Sequence, residues 1–273
     1  MDLYTDVSQD INRMITRRYS SSFGLSSTLF PTRMRRHIYA IYGLVRIADE
    51  VVDTYRGPQA AQILDELEHD TYRAIRLGYS ANPVVHAFCV TARQFAIQRS
   101  IIAAFFASMR MDLKPFTNSR DNYTTYIYGS AEAVGLMCLA VFVNGDKTAY
   151  AQLRDGACAL GAAYQKINFL RDLAADSNEL RRWYFPDSSY ETFNNNDKQV
   201  ITNEIDRDIT NARIALAQLP VSSRRAVQLS LDYYDGLLAA LKRADANDLK
   251  QRRLRLPTAR KLFMYARARV SAL

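Results

Sequence analysis

Apolar residues recur at intervals of three and four along nearly the whole chain, and no stretch alternates apolar and polar positions in the two-residue rhythm of a strand. The pattern predicts an all-α protein with helices over about 2–18, 31–55, 58–78, 83–110, 119–143, 146–176, 197–217, 221–243 and 245–270. Asp2 is placed to cap the first helix and Pro31 to open the second. Breaks fall at Gly57-Pro58, Asn82-Pro83, Lys114-Pro115, Asn144-Gly145 and Leu219-Pro220, pairs that interrupt helices. The small-residue segment from Tyr19 to Phe30 and the polar segment from Ser177 to Asp197 read as irregular, the second as a lid or flap. No fixed-period repeat interrupts this order, and the chain reads as a single domain, 1–273.

Two helices depart from simple amphipathicity. In Gln165 to Asp176, QKINFLRDLAAD, a rotation of ~100° per residue gathers Gln165, Asn168, Asp172 and Asp176 within roughly 80° of arc. The residues between them, Ile167, Phe169, Leu170 and Leu173, need a core, so the polar stripe is expected to face a cleft. The helix from Pro31 ends in a second D-x-x-x-D, where Tyr42, Arg46, Asp49 and Asp53 share about 60° of arc. One helical turn sets two carboxylates ~5 to 6 Å apart, close enough to flank a divalent ion. Oxygen ligands with no nearby His or Cys favour Mg²⁺ over Ca²⁺ or a transition metal. A single such pair is common on solvated helix faces; two pairs, with Arg46 and Arg171 beside them, form a trap for a diphosphate.

Below Gln165 the same face continues through Gly161 and Ala157. Another helix carries Tyr126 to Gly135, YIYGSAEAVG, with Gly129 and Gly135 each costing ~1 kcal/mol in a helix interior. Close helix packing accounts for such glycines, and so does room for a long apolar ligand beneath a polar rim.

Composition narrows the function classes. A net charge of +8 fits an anionic substrate, an anionic membrane surface or nucleic acid, but no nucleic-acid module appears, and nucleic acid is not expected as a partner. The N-terminus lacks the basic-then-apolar run of a leader, and the apolar run Ala133 to Val143 is short for a membrane span. Cys89, Cys138 and Cys158 are read as reduced thiols of a cytoplasmic protein, and His37, His69 and His86 have no zinc-ligand spacing.

Six stretches together resemble the squalene/phytoene synthase family of head-to-head prenyl transferases. They are YSSSF at Tyr19 to Phe23, AIYGLVRIADEVVD at Ala40 to Asp53, YIYGSAEAVG at Tyr126 to Gly135, QKINFLRDLAAD at Gln165 to Asp176, RRWYFP at Arg181 to Pro186, and DLKQRRLRLPTARK at Asp248 to Lys261. The resemblance runs from Tyr19 to about Lys261 and implies an isoprenoid-synthase helical bundle with a central cavity. By that likeness Asp49, Asp53, Asp172 and Asp176 hold Mg²⁺, for which Mn²⁺ can substitute, and two prenyl diphosphates. Arg46, Gln165, Asn168, Arg171, Tyr184 and Arg253 are implied at the diphosphate end, with Tyr128 and Phe23 near the reacting carbons. Ser27, Tyr39, Tyr42, Gly129, Ala157 and Gly161 are expected to line the cavity.

The implied reaction joins two geranylgeranyl diphosphates into phytoene through a cyclopropyl intermediate. Two farnesyl diphosphates giving squalene or dehydrosqualene are the alternative, with NADPH used only for squalene. A non-catalytic relative acting in assembly is a third reading, which intact aspartates in both pairs disfavour. Tyr19, where squalene-type members often carry His, and Ser27 favour phytoene; the bulk of Tyr39 argues for a shorter chain, and Asn247 replaces a common aromatic residue. An apolar product calls for peripheral contact with the inner face of the membrane, by a monomer or homodimer, with basic clusters near both termini available for it.

Overall fold

A computed structural model describes residues 2–55, 57–114, 119–178 and 182–270, with only the backbone described for 175–178. Among these residues there is no strand, and the helices pack on one another as a bundle. They are α1 (Leu3–Tyr19), α2 (Ser21–Ser26), α3 (Thr32–Glu50), α4 (Ala60–Leu77), α5 (Pro83–Gln94), α6 (Arg99–Met111) and α7 (Arg120–Ile127). Then come α8 (Ala133–Phe142), α9 (Lys147–Asn178), α10 (Asn195–Leu216), α11 (Val221–Arg243), α12 (Ala246–Gln251) and α13 (Thr258–Val270).

Local chemistry sets the helix ends. The Asp2 carboxylate accepts the Thr5 N–H at 2.9 Å to cap α1, as its position predicts. Asn82 caps α5 ahead of Pro83, and Asn194 with Asp197 forms a capping box on α10. Gly78, at φ 82°, ends α4 in the left-handed conformation.

Three expectations from the sequence change. The stretch 83–110 is two helices, because Phe95 to Gln98 turns the chain with Ala96 at φ 51°. The stretch 245–270 is also two, since Arg252 is extended and Pro257 disfavours helix in the residue before it. The small-residue segment after Tyr19 is instead helical: Ser20 caps α2 by accepting the Phe23 N–H at 3.2 Å.

Two π-helical turns were not legible either, and both adjoin the site. Val51–Tyr55 continues α3 and carries Asp53; Tyr128–Glu132 joins α7 to α8. The second lies between α6 and α9 at very short range. A Cβ on Gly129 would stand 2.3 Å from the Ala104 carbonyl oxygen of α6, and one on Gly161 2.7 Å from that of Ala131. Gly129 therefore serves close packing. The run Arg120–Phe142 is long and apolar enough to cross a membrane by composition. In the fold it is an interior wall, with Ala133, Leu136, Met137 and Leu139 buried. Helices α3, α8, α9 and α11 stand around the space this wall leaves, and α10, packed along α9, adds Ala212, Ala215 and Leu216 to its lining.

Candidate active site

A cavity of about 1020 Å³ occupies that space. On α9 its lining repeats every turn: Leu153, Ala157, Gly161, Gln165, Asn168 and Asp172. The polar stripe and the small residues below it thus face one cavity, as the rotation argument requires. On α3 the lining is Ile38, Ile41, Tyr42, Val45, Arg46 and Asp49, followed by Asp53 on the π turn. Asp49 and Asp53 consequently open on this space from one wall and Asp172 from the other. Asp176 lies on α9, but its side chain is outside the described residues.

The far end is apolar. Phe30, Cys138, Leu139, Phe142, Leu153, Leu216 and Leu219 line it, with Phe30 and Phe142 stacked at 5.3 Å. From Asp172 to Leu153 the α9 lining spans nineteen residues, roughly 28 Å at ~1.5 Å rise per residue. Cys89, Cys138 and Cys158 are all free thiols, and burial pushes the Cys138 thiol up to about 12, so it acts as an apolar lining atom.

The charged end is unevenly balanced. Asp49 accepts from Arg46 at 2.6 Å, and Arg46 also pairs with Glu50 and lies 4.4 Å over the Tyr19 ring. Burial, and then the like charge of Asp53, raise the Asp49 carboxyl to about 7. Asp53 is held by Arg182 at 2.6 Å. Asp172 is gripped by Arg171, at 2.9 and 2.5 Å to its two oxygens, and by Arg253 at 2.6 Å. Lys261 lines the same mouth, its pKa lowered by burial and by the repelling charges of Arg171 and Arg255.

The mouth therefore divides by charge: acidic side chains crowd the α3 wall, where burial and Asp53 raise Asp49, and basic side chains crowd Asp172 on the α9 wall. Among the described residues no group of three His, Cys, Asp or Glu side chains gathers tightly enough to hold a metal alone. The donors fit a hard divalent ion completed by water and phosphate oxygens, since they are carboxylates one turn apart whose mutual repulsion such an ion relieves.

Aromatic groups border this end. Phe23 stacks on Tyr42 at 5.3 Å, and burial raises the Tyr42 hydroxyl to about 12, so it stays neutral. Tyr184 lines the cavity and stacks on Phe169 at 4.1 Å. Asn168 accepts from Tyr234 at 3.4 Å.

Three expected lining residues, and Tyr128, which was expected near the reacting carbons, fall outside the cavity wall. Ser27 is buried and bonds the Gly24 carbonyl at 3.0 Å and the Tyr39 hydroxyl at 3.3 Å, so the pair seals α3 against the turn after α2. Tyr39 stands about 100° around the helix from the lining residue Ile38. Gly129 faces α6. In the YIYGS stretch Tyr126 lines the cavity and Tyr128, two positions on and about 200° away, does not.

Sequence reasoning missed a buried network behind Asp53. Arg182, 8% exposed, binds Asp53 and donates to the carbonyls of Val52 and Asp112 at 3.1 and 3.0 Å. The Asp112 carboxylate, 3% exposed, lies 3.5 Å from Arg182 and accepts from Tyr126 at 2.8 Å and Tyr184 at 3.3 Å. The RRWYFP stretch carried a signal for Arg182 and the DLKQRRLRLPTARK stretch one for Lys261; nothing in the local pattern singles out Asp112.

Fold and mouth together define an all-α bundle enzyme with one cavity, charged at one end and apolar along its length. The family model "Squalene/phytoene synthase" matches residues 16–260. The chain belongs to the squalene/phytoene synthase family and is a prenyl transferase of head-to-head condensation.

It is 30% identical to a phytoene synthase of Arthrospira platensis, covering 97% of this chain and 93% of that one. It is 31% identical to a 15-cis-phytoene synthase of Synechocystis sp., covering 93% and 82%. A 4,4'-diapophytoene synthase of Staphylococcus haemolyticus is 26% identical over 85% of this chain and 86% of its own. The fold matches a crystal structure of a dehydrosqualene synthase with TM-score 0.80 at 19% identity, over 98% of this chain and 97% of that one.

Proposed function

We propose that the protein joins two geranylgeranyl diphosphates into phytoene through a cyclopropyl diphosphate, with Mg²⁺, or Mn²⁺ in its place, held at Asp49, Asp53, Asp172 and Asp176. The observation that carries this reading is one cavity, about five helical turns long, joining a mouth of paired carboxylates and clustered cations to an apolar far end. The relatives named phytoene synthase, at 30 and 31% identity over almost the whole chain, support the longer substrate.

In this reading Arg171, Arg253 and Lys261 bind diphosphate oxygens, and Gln165 and Asn168 orient them without adding charge. A bound divalent ion supplies the positive charge that makes diphosphate a good leaving group. Phe23 and Tyr42 exclude water from the allylic cation and face it with ring π-density. In the first stage one C–O bond breaks, the other substrate's double bond attacks, and a proton is lost as the cyclopropane closes. In the second stage the remaining diphosphate leaves, the skeleton rearranges, and loss of another proton forms the central double bond. No reductant enters this balance, so NADPH is not required.

The test is incubation of the purified chain with Mg²⁺ and either geranylgeranyl or farnesyl diphosphate, with and without NADPH, followed by identification of the hydrocarbon. Phytoene from the longer substrate is expected. A C30 product made only from farnesyl diphosphate would replace this reading with the one that the Staphylococcus relative favours. No turnover of either substrate would leave a non-catalytic assembly role.

A further inference from the structure

Helix α13 carries a second apolar face on the side turned away from the protein. Met264, Tyr265 and Ala268 pack on the core, Tyr265 taking a hydrogen bond from Thr28 at 3.0 Å, and Lys261 on the same side lines the cavity. At ~100° per residue the opposite side presents Phe263, Ala266 and Val270, with Leu262 next to them. Phe263 is 67% exposed, Val270 68% and Leu262 53%, and no residue of the helix is fully buried. Arginines edge this stripe on both sides, Arg260 and Arg267 along one and Arg269 along the other. An exposed apolar stripe bordered by arginines is the composition of a helix that lies in a membrane interface.

We propose that this face of α13 docks flat on a bilayer containing anionic lipid. Charge complementarity selects that occupant. Arginines border the stripe on both sides, Arg267 lying 3.9 Å from Asp232 of α11, and the chain just before it adds Arg252, Arg253 and Arg255. A second copy of the protein would bring arginine against arginine. A few side chains on one short helix also present far less than the ~1,200 Å² or more that a stable dimer buries. Position gives the docking a purpose. Thr258 and Lys261, on the first turn of the same helix, line the cavity mouth, so docking holds that mouth within about one helix diameter, ~10 Å, of the lipid surface. This last step rests on the proposed hydrocarbon product; the docking face itself does not.

The test is flotation of the full chain, without substrate, on phosphatidylcholine vesicles with and without phosphatidylglycerol. The wild type is expected to bind the mixed vesicles at least about tenfold more tightly, and high salt should release it. The double variant Leu262→Ser/Phe263→Ser should lose about tenfold or more of that binding, with an unchanged melting temperature showing that the fold is kept. Arg260→Gln should lose about fivefold.

Equal binding to neutral vesicles, or a double variant that binds like wild type, overturns the proposal. So does a solution dimer that the double variant splits, which assigns the face to a second copy. Failure here is separable from failure of the proposed reaction. Vesicle binding without hydrocarbon synthesis removes the reaction and keeps the face, and synthesis without binding removes only the face.

Discussion

Asp49 and Asp53 on one wall, and Asp172 on the other, come from the same D-x-x-x-D spacing but stand in opposite electrical surroundings. Around the α3 pair the carboxylates outweigh their partners: Glu50 and Asp112 add negative charge, and Asp49 is driven up to about 7 by burial and by Asp53. Around Asp172 the excess is positive, with Arg171 and Arg253 bound to it and Lys261 close to Arg171 and Arg255. The pairs are therefore not interchangeable halves of a symmetrical clamp. The α3 wall needs a cation and the α9 wall an anion, and a metal-bound diphosphate between them satisfies both. Each carboxylate meanwhile has a guanidinium on it, which keeps the mouth assembled.

The largest expected effect tests the α3 wall. Asp49→Asn and Asp53→Asn should each lower kcat about a thousandfold, because each removes charge that carries the cation at the leaving diphosphate. Their far-ultraviolet circular dichroism should match wild type. Either variant keeping a tenth of the activity would refute the division between the walls.

Next in size is Arg182, which ties the α3 wall to the interior. Arg182→Ala leaves Asp53 and the buried Asp112 without their shared cation, and loss of one partner in a buried ion pair costs about 3 kcal/mol. Urea unfolding should show that loss. Arg182→Lys should restore part of it, since an ammonium returns the charge but not the two-pronged contact to Asp53 and the Val52 carbonyl. Stability unchanged in Arg182→Ala would mean that the network behind Asp53 carries no weight.

How far the sequence foretold this site follows from the range of each interaction. The stripe Gln165, Asn168, Asp172 and the stripe Tyr42, Arg46, Asp49 obey one helical period, and both face the cavity as that period requires. The rule gives relative angles around a helix and not which angle points inward, so it could not choose between Tyr128, which the family likeness put near the reacting carbons, and Tyr126, which lines the cavity. It missed the turn at Ala96, which has neither glycine nor proline to announce it. Asp112 was illegible for another reason: its partners, Tyr126, Tyr184 and Arg182, lie 14, 72 and 70 residues away in the chain. A glycine in a helix was ambiguous from sequence, and contact decided each case, Gly129 against α6 and Gly161 between the cavity and Ala131.

A smaller effect concerns the channel below the two walls. Ala157 lines it about four turns beneath Asp172, on the stretch that makes room for the longer chain. Ala157→Phe should lower kcat/KM for geranylgeranyl diphosphate at least about tenfold and leave farnesyl diphosphate nearly unaffected, since the added ring fills depth that only the longer chain needs. Product analysis from a mixture of the two substrates checks it. Equal losses for both would place the obstruction at the mouth instead.

The smallest effect, a few degrees in melting temperature, separates the walls most directly. Asp49 in the fold titrates near 7, above the ordinary carboxylate value of 3.8, so between about pH 4 and 7 the folded chain binds more protons than the unfolded one. Its contribution to stability is therefore largest at low pH and falls as pH rises to about 7. The buried Asp112, raised to about 6, acts in the same direction. Without divalent metal, Asp49→Asn should flatten this part of the stability profile and melt a few degrees higher than wild type near pH 8. Asp172→Asn, which strips a carboxylate from between two guanidiniums, should melt lower. Adding Mg²⁺ with inorganic diphosphate should raise the wild-type melting temperature more at pH 8 than at pH 5, because only ionised Asp49 binds the ion. Opposite signs for the two asparagine variants would confirm that the walls differ in kind, and equal signs would show the matching motifs to be equivalent after all.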